Sequence, residues 1–145
     1  MTQSQIYNLA TELFCKEEWP AIKKSLALCL PSHTRVITNS DGSVAAFILV
    51  TEKSAKCAYI AYCGVNPQNQ GKGLGTKLLK ETLDSIFQAD YLYVQLLVDR
   101  WNSGARRLYE RFGFKWIAEN HEPHVISDYY ELTRSDYVGA LARGT

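Results

Sequence analysis

The chain lacks the features that mark several protein classes. Its 145 residues contain no apolar run approaching the ~20 residues that a membrane-spanning helix needs. Glu12, Glu17 and Glu18 interrupt any apolar stretch near the N-terminus, so we expect no secretory signal peptide. The formal net charge is only +1, which argues against nucleic acid or an anionic membrane surface as a partner.

Breaks in composition are also absent. No internal repeat, low-complexity tract or linker rich in Pro, Gly and Ser divides the chain. The length suits one hydrophobic core, and hydrophobic residues make up 46% of the chain, as in ordinary globular proteins. We therefore expect a single domain over residues 1–145.

Cysteine and histidine patterns do not indicate a metal site or a disulfide framework. The four cysteines contain no C-x-x-C pair and match no zinc-knuckle spacing. They are Cys15, Cys29, Cys57 and Cys63. This usage favours a reduced, cytoplasmic location. His121 and His124 flank Glu122, but they fall in a predicted loop without further ligands, so we predict that no metal is bound.

Hydrophobic periodicity predicts helices around a mixed sheet. Residues 4–30 are mostly at helical spacing, although a short strand around 6–9 stays an alternative. The turn sequence at 39–42 predicts a hairpin between strands 34–38 and 44–51. The predicted elements that follow are strand 58–65, helix 74–87, strand 91–98, helix 103–112, and strands 114–118 and 125–133. The apolar run 91–98 predicts a central, buried strand, and the element order predicts an α/β (α+β) chain whose sheet is mixed.

The most informative segment is a glycine-rich run between predicted strand 58–65 and predicted helix 74–87. It reads Gln70-Gly71-Lys72-Gly73-Leu74-Gly75. The first turn of a helix has N–H groups without helical partners, and the helix dipole adds positive potential there. Glycines let a phosphate approach the backbone without a Cβ in the way. The segment therefore predicts a site for a phosphate-bearing cofactor.

Other phosphate motifs fit this run poorly. Asn66 and Gly73 stand where a P-loop requires Gly and Ser or Thr. The glycines follow the pattern G-x-G-x-G rather than the G-x-G-x-x-G of dinucleotide-binding folds, although Asp90 lies near the ribose-binding distance. A tight turn without a ligand stays an alternative, in which Gly75 serves only the close packing of helix on sheet.

Two motifs together carry a family resemblance. The first strand-turn segment supplies Val65-Asn66-Pro67 and then Gln70, Gly73 and Gly75, and the second helix supplies Asn102, Ala105, Tyr109, Gly113 and Phe114. In this order they resemble the acetyl-CoA signature and the second helix of the GNAT family of N-acetyltransferases. The resemblance covers residues 45–133, and the first forty residues match only loosely.

The resemblance implies a fold and a cofactor. It implies a mostly antiparallel central sheet, splayed between strands 58–65 and 92–98 and flanked by helices. It also implies acetyl-CoA as co-substrate, with the pyrophosphate on the N–H groups of 71–76 and the pantetheine arm paired with strand 62–65. The expected cofactor-binding residues are Cys63, Gly64, Val65, Gln70, Gly71, Lys72, Gly73, Leu74, Gly75, Thr76 and Asn102.

The resemblance assigns Tyr109 the role of general acid, which protonates the leaving thiolate. A core tyrosine on the apolar face of its helix is the alternative that spacing equally allows. A backbone N–H near Cys63 to Val65 would stabilise the thioester oxygen. The general base is not identified, because the two central strands carry no Glu. The candidates are Tyr59, Tyr62, Gln95, Asp99, Glu119, His121 and Glu122.

The predicted function is transfer of an acetyl group to a primary amine by direct attack in a ternary complex. A non-catalytic acyl-CoA-binding sensor or regulatory module is one alternative, because no base is visible. A covalent route, in which Cys63 first accepts the acetyl group, is another. The acceptor is expected to be a small-molecule or peptide amine. The sequence does not determine the oligomeric state, and the resemblance leaves a homodimer open because family members are often dimers.

Overall fold

The computed structural model describes residues 3–121 and 126–144. Its helices and strands are, in chain order, α1 (Gln3–Leu13), α2 (Trp19–Ala27), β1 (Arg35–Thr38), β2 (Val44–Ser54), β3 (Cys57–Val65), α3 (Leu74–Gln88), β4 (Tyr93–Asp99), α4 (Ser103–Arg111), β5 (Lys115–Asn120), β6 (Ser127–Thr133) and α5 (Arg134–Ala142). Short 3₁₀ turns at Lys16–Glu18 and Pro67–Asn69 precede α2 and the glycine-rich run.

Six strands form one mixed sheet in the order β1-β2-β3-β4-β6-β5. Only β3 and β4 are parallel, and the other neighbouring pairs are antiparallel. The parallel pairing runs from Cys57↔Tyr93 to Ile60↔Leu96 and then stops, while both strands continue. The predicted splay between the two central strands is therefore confirmed, and it leaves one side of β3 without a strand partner near residues 62–65.

Each face of the sheet carries its own core. Ile48, Ile60 and Val98 pack with α3 and α4 on one face, whereas Phe47 and Leu49 pack with α1 and α2 on the other. Phe47 and Ile48 are neighbours on β2, so they point to opposite faces as alternate strand residues do. The sheet thus separates two core compartments, one on each face.

The N-terminal helices are confirmed, and the alternative strand at 6–9 is wrong. Ile6, Leu9 and Ala10 are the buried face of α1, which is the helical spacing of an amphipathic helix. β4 is central, but its burial alternates, because α1 and α2 pack mainly on β2 and β3 and leave the opposite face of β4 partly open.

The sequence did not predict α5, which follows β6 directly. The Thr133 hydroxyl accepts a hydrogen bond from the Asp136 N–H (3.1 Å) and so caps the start of this helix. The start of the last predicted strand, at Val125, lies outside the described residues. Within the ranges 3–121 and 126–144, no helix has the length and apolar character to span a membrane.

Candidate functional site

The glycine-rich run forms the turn between β3 and α3. Gly71 and Gly73 have φ of 82° and 74°, in the left-handed region that glycine adopts most easily. Gly73 is the N-cap of α3, and no described side chain caps it. The first helical bond joins the Lys77 N–H to the Gly73 carbonyl (3.0 Å), so the N–H groups of 74–76 have no partner inside the helix. This end of α3 is therefore suited to an anion.

The turn does not need its third glycine for packing. A Cβ built on Gly75 would lie 3.8 Å from Val65 Cγ2, which is an ordinary contact. The interpretation that Gly75 serves only close helix–sheet packing is therefore not supported. The Gln70 side-chain amide donates to the Val65 carbonyl (3.4 Å) across the turn, and Lys72 and Lys77 are exposed.

A mostly apolar cleft of about 330 Å³ lies between the end of β3 and helices α3 and α4. Its lining residues are Phe47, Ile48, Ile60, Cys63, Gly64, Val65, Gln70, Gly75, Leu78, Leu79, Ala105, Leu108 and Tyr109. The structure thus brings together six of the residues predicted from sequence, namely Cys63, Gly64, Val65, Gln70, Gly75 and Tyr109. The predicted residues Gly71, Lys72, Gly73, Leu74 and Thr76 belong to the adjacent turn and first helical turn.

The end of β3 presents one backbone edge to this cleft. Residues 62–65 pair with β2 on one side, but on the β4 side no strand of the described residues pairs with them. Such an edge can pair with an extended chain of amides. At Gly64 a Cβ would lie 2.5 Å from Leu13 Cδ1 and 3.0 Å from Phe47 Cε1, so a larger residue there would require these two side chains to shift.

Helix α4 places Tyr109 at the inner end of the cleft. The helix begins after Asn102, whose side chain accepts a hydrogen bond from the Ala105 N–H (3.2 Å), as predicted for an N-cap. Tyr109 is only 8% exposed, and its ring packs edge-on against Phe114 at 5.6 Å between centroids. The ring is thus part of the core, while the residue also lines the cleft.

The hydroxyl of Tyr109 and the thiol of Cys63 form a hydrogen-bonded pair. Tyr109 Oη and Cys63 Sγ are 3.3 Å apart, and either can donate. The charge interaction with Cys63, followed by burial, raises the pKa of Tyr109 well above its usual range. Burial raises the pKa of the Cys63 thiol. Both groups therefore keep their protons at neutral pH.

A second cavity of about 590 Å³ lies at the splay between β3 and β4. It is lined by residues 59–63, residues 96–99, Leu13, Phe14, Cys15, Glu18, Ala21, Ser25, Asn102, Ala105, Tyr109, Asn120 and Ser127. Cys63 and Tyr109 line both cavities. Because this cavity also includes Phe14 and Tyr62 from the α1/α2 face, it passes through the gap in the sheet and connects the two compartments.

The structure narrows the candidates for a proton acceptor. Tyr62 Oη donates a hydrogen bond to Glu18 Oε2 (2.7 Å), and burial, followed by this bond, raises the pKa of Tyr62. Tyr62 therefore holds its own proton at neutral pH, and the basic group of the pair is the Glu18 carboxylate. Glu18 is not among the candidate bases predicted from the sequence, because no motif marks it.

Other predicted candidates are placed as follows. Tyr59 and Asp99 line the second cavity, whereas Gln95 is hydrogen-bonded to Glu131 (2.6 Å). Glu119 lies 3.4 Å from Arg100 in an ion pair, and His121 is exposed. Glu122 and His124 lie outside the described residues. Across residues 3–121 and 126–144, no three His, Cys, Asp or Glu side chains are grouped as a metal site.

Comparisons with known proteins identify the family of the chain. The profile described as "Acetyltransferase (GNAT) family" matches residues 4–114. The N-alpha-acetyltransferase RimI of Mycobacterium tuberculosis is 26% identical over 132 residues, which are 87% of this chain and 82% of that protein. The mycothiol acetyltransferase of Beutenbergia cavernae is 35% identical over 80 residues, or 55% of this chain, and the match spans 27% of that protein's length.

A solved structure shows the same fold. The NatC complex bound to Gag peptide and CoA superposes with a TM-score of 0.79 at 17% identity, over 90% of this chain and 89% of that chain. At this identity the likeness concerns the fold alone. It confirms the predicted fold class, a mixed and mostly antiparallel sheet that is splayed at its centre and flanked by helices.

Proposed function

Since this chain belongs to the acetyltransferase (GNAT) family, we propose that it transfers the acetyl group of acetyl-CoA to a primary amine by direct attack in a ternary complex. One observation carries the proposal: two cavities meet at the Tyr109–Cys63 pair, one of them beginning near the uncapped start of α3. Such an arrangement lets a cofactor and an acceptor approach one hydroxyl from opposite faces of the sheet.

The residues of the first cleft fit coenzyme A. The N–H groups of 74–76 and the exposed Lys72 suit a pyrophosphate, and the unpaired edge of β3 suits the amides of a pantetheine arm. The apolar walls formed by Leu78 and Leu108 suit its methylene and methyl groups. When bound, acetyl-CoA supplies an activated thioester. CoA is also named in the NatC complex, which shares this fold.

Tyr109 is the proposed general acid. Its hydroxyl lies at the meeting point of both cavities and keeps its proton at neutral pH, because its pKa is raised. It therefore has a proton to give to the thiolate that leaves. A backbone N–H of residues 63–65 would polarise the thioester carbonyl. Both roles belong to residues that the family resemblance selects.

Two glycine variants test the cofactor site. Gly73 and Gly42 both have positive φ, and a Cβ on either would meet nothing within 4 Å. Gly73→Ala and Gly42→Ala should therefore each cost about 1 kcal/mol of backbone strain, but only Gly73 caps α3. Wild-type protein and Gly42→Ala should gain roughly 5–10 °C in unfolding temperature at acetyl-CoA a hundredfold above its dissociation constant. Gly73→Ala should lose most of that gain.

NADH and ATP serve as ligand controls in the same experiment. A rise in unfolding temperature with acetyl-CoA alone supports acetyl-CoA as the co-substrate. An equal rise with all three ligands, or no rise with any of them, would contradict that assignment. Turnover is then measured as CoA thiol release with a panel of 1,4-diaminobutane, 4-aminobutanoate, glucosamine and an unblocked dipeptide amide. A protein that binds acetyl-CoA and turns over none of these amines, at any pH tested, would instead be a binding module.

A further inference from the structure

We propose that Glu18 is the carboxylate that binds the ammonium group of the acceptor and takes its proton, and that Tyr62 is the positioning residue that fixes it. The inference rests on the proposed function, because it concerns the acceptor side of the same site. It also defines the acceptor class: an amine that arrives as a cation and carries no carboxylate within a short chain of about four carbons.

The α1–α2 connection is built to hold Glu18 in one place. The Glu18 N–H donates to the Cys15 carbonyl (2.9 Å) and closes the 3₁₀ turn. The Trp19 indole N–H donates to the Phe14 carbonyl (3.2 Å), and the Phe14 ring packs edge-on against Tyr62 at 5.2 Å. These backbone, indole and ring contacts together fix the positions of Glu18 and Tyr62, which are joined by a hydrogen bond.

The hydrogen bond leaves Glu18 one oxygen for a ligand. Tyr62 donates to Oε2 at 2.7 Å. The other oxygen of the carboxylate, Oε1, has lone pairs of its own that can accept a hydrogen bond from a ligand. The phenol hydroxyl is the donor of this bond. Glu18 is half-buried and lines the second cavity. Tyr109 lines the same cavity, so an acceptor that enters it can contact both residues.

The charges around the second cavity favour a cation. Its titratable lining groups, from every element that forms it, are Cys15, Glu18, Tyr59, Tyr62, Cys63, Asp99 and Tyr109. Among the described lining residues, Glu18 and Asp99 are the charged ones, and none is Lys, Arg or His. Lys16 and Glu17 lie in the same 3₁₀ turn, and the Lys16 ammonium sits over the Trp19 ring at 5.9 Å. Two like charges at a cavity attract an ammonium and repel a carboxylate.

The protons balance in this scheme. The acceptor ammonium gives one proton to Glu18, and the lone pair that is released forms the new C–N bond while the C–S bond breaks. Tyr109 gives its proton to the sulfur, and the second proton of the nitrogen replaces it on Tyr109. Glu18 then returns its proton to solvent. The net change is acetyl-CoA plus an ammonium giving an amide, CoA and one proton.

The test compares Glu18→Gln with Glu17→Gln. Both changes remove one negative charge from the same 3₁₀ turn, but Glu17 is exposed and does not line the cavity. With the best acceptor of the panel, Glu18→Gln should lower kcat/KM by about a hundredfold at neutral pH. The loss should shrink as pH rises toward the amine pKa of about 10, because more acceptor then arrives neutral. The thermal gain with acetyl-CoA should stay unchanged, which shows that the variant is folded.

Tyr62→Phe tests the positioning role. This variant should lower kcat/KM by about tenfold, and the double variant with Glu18→Gln should be no worse than Glu18→Gln alone, since Tyr62 acts through Glu18. Additive losses would overturn the positioning role. Loss equal in Glu18→Gln and Glu17→Gln, or a loss that does not change with pH, would overturn the proton-accepting role while leaving the transferase function intact. If the wild-type protein shows no turnover, both the transferase function and the proton-accepting role of Glu18 are contradicted.

The acceptor class is checked with a matched pair in the wild-type protein. 1,4-Diaminobutane and 4-aminobutanoate have the same chain length and opposite charge at the far end. We expect kcat/KM to be at least about tenfold higher for the diamine, and Glu18→Gln to reduce the difference. A preference for 4-aminobutanoate would contradict an acidic acceptor cavity.

Discussion

Two tyrosines flank the gap in the sheet, and their hydrogen-bond partners differ. Tyr109 comes from α4 on one face and is paired with the Cys63 thiol. Tyr62 packs with the α1/α2 core on the other face and is paired with the Glu18 carboxylate. A thiol can donate or accept, so the Tyr109 proton can turn toward a substrate. A carboxylate only accepts, so the Tyr62 proton stays in the hydrogen bond to Glu18. In the proposed mechanism, tyrosine thus acts as a proton donor on one face of the sheet and as a positioning group on the other.

The two tyrosines also owe their raised pKa to different leading causes. For Tyr109 the charge interaction with Cys63 comes first and burial second, whereas for Tyr62 burial comes first and Glu18 second. Both phenols are neutral at physiological pH, as even an ordinary tyrosine with a pKa of about 10 is. The partner, rather than the pKa, therefore separates a proton donor from a positioning group.

Tyr109→Phe should give the largest effect that this comparison predicts. The phenyl ring keeps the contact with Phe114, but no proton is left at the meeting point of the two cavities. We expect kcat to fall by about a hundredfold or more, with acetyl-CoA affinity within about twofold of wild type. Steady-state kinetics and cofactor titration measure the two quantities. Equal losses in both would mean that Tyr109 is a core residue without a catalytic role.

Cys63→Ala should have a much smaller effect, although it removes the partner of Tyr109. Burial raises the pKa of Cys63, so little thiolate exists at neutral pH to attack a thioester. We expect kcat within about threefold of wild type, because the Tyr109 hydroxyl remains. Intact-mass measurement of wild-type protein incubated with acetyl-CoA should show no acetyl group on Cys63. An acetylated Cys63, with a burst of CoA, would instead establish the covalent route.

The local geometry on the proposed cofactor side could be predicted from sequence, because its signals are local. Gly71 and Gly73 adopt positive φ within a turn of a few residues, and Asn102 caps the helix that carries Tyr109. Glycine turns and caps act over one to four positions, so their spacing survives in the sequence. The central splay could be predicted only through the family resemblance.

The acceptor side could not be predicted, because its contacts are distant along the chain. Tyr62 and Glu18 are separated by 44 positions, and their meeting depends on how the α1–α2 connection crosses β3. The missed helix α5 has a similar cause: only Thr133 marks its start, at the end of a strand. A single carboxylate in a short 3₁₀ turn carries no motif, so only the fold distinguishes Glu18 from Glu17.

The smallest predicted effect is on stability at alkaline pH, where variants of Cys63 and Tyr62 should differ in the pH at which they change the loss of stability. The folded protein holds the protons of Cys63 and Tyr62 above their ordinary pKa values of 9.0 and 10.0, so each group stabilises the fold below that value. As pH rises through it, the unfolded chain releases the proton first and stability falls. Cys63→Ala should therefore make the fall that begins near pH 9.0 smaller, while Cys57, whose pKa burial also raises, keeps part of it. Tyr62→Phe should change only the later fall above 10.0. Urea midpoints measured from about pH 8 to about pH 11 test this order. A wild-type decline that Cys63→Ala leaves unchanged would mean that the thiol releases its proton as readily in the folded protein as in the unfolded chain.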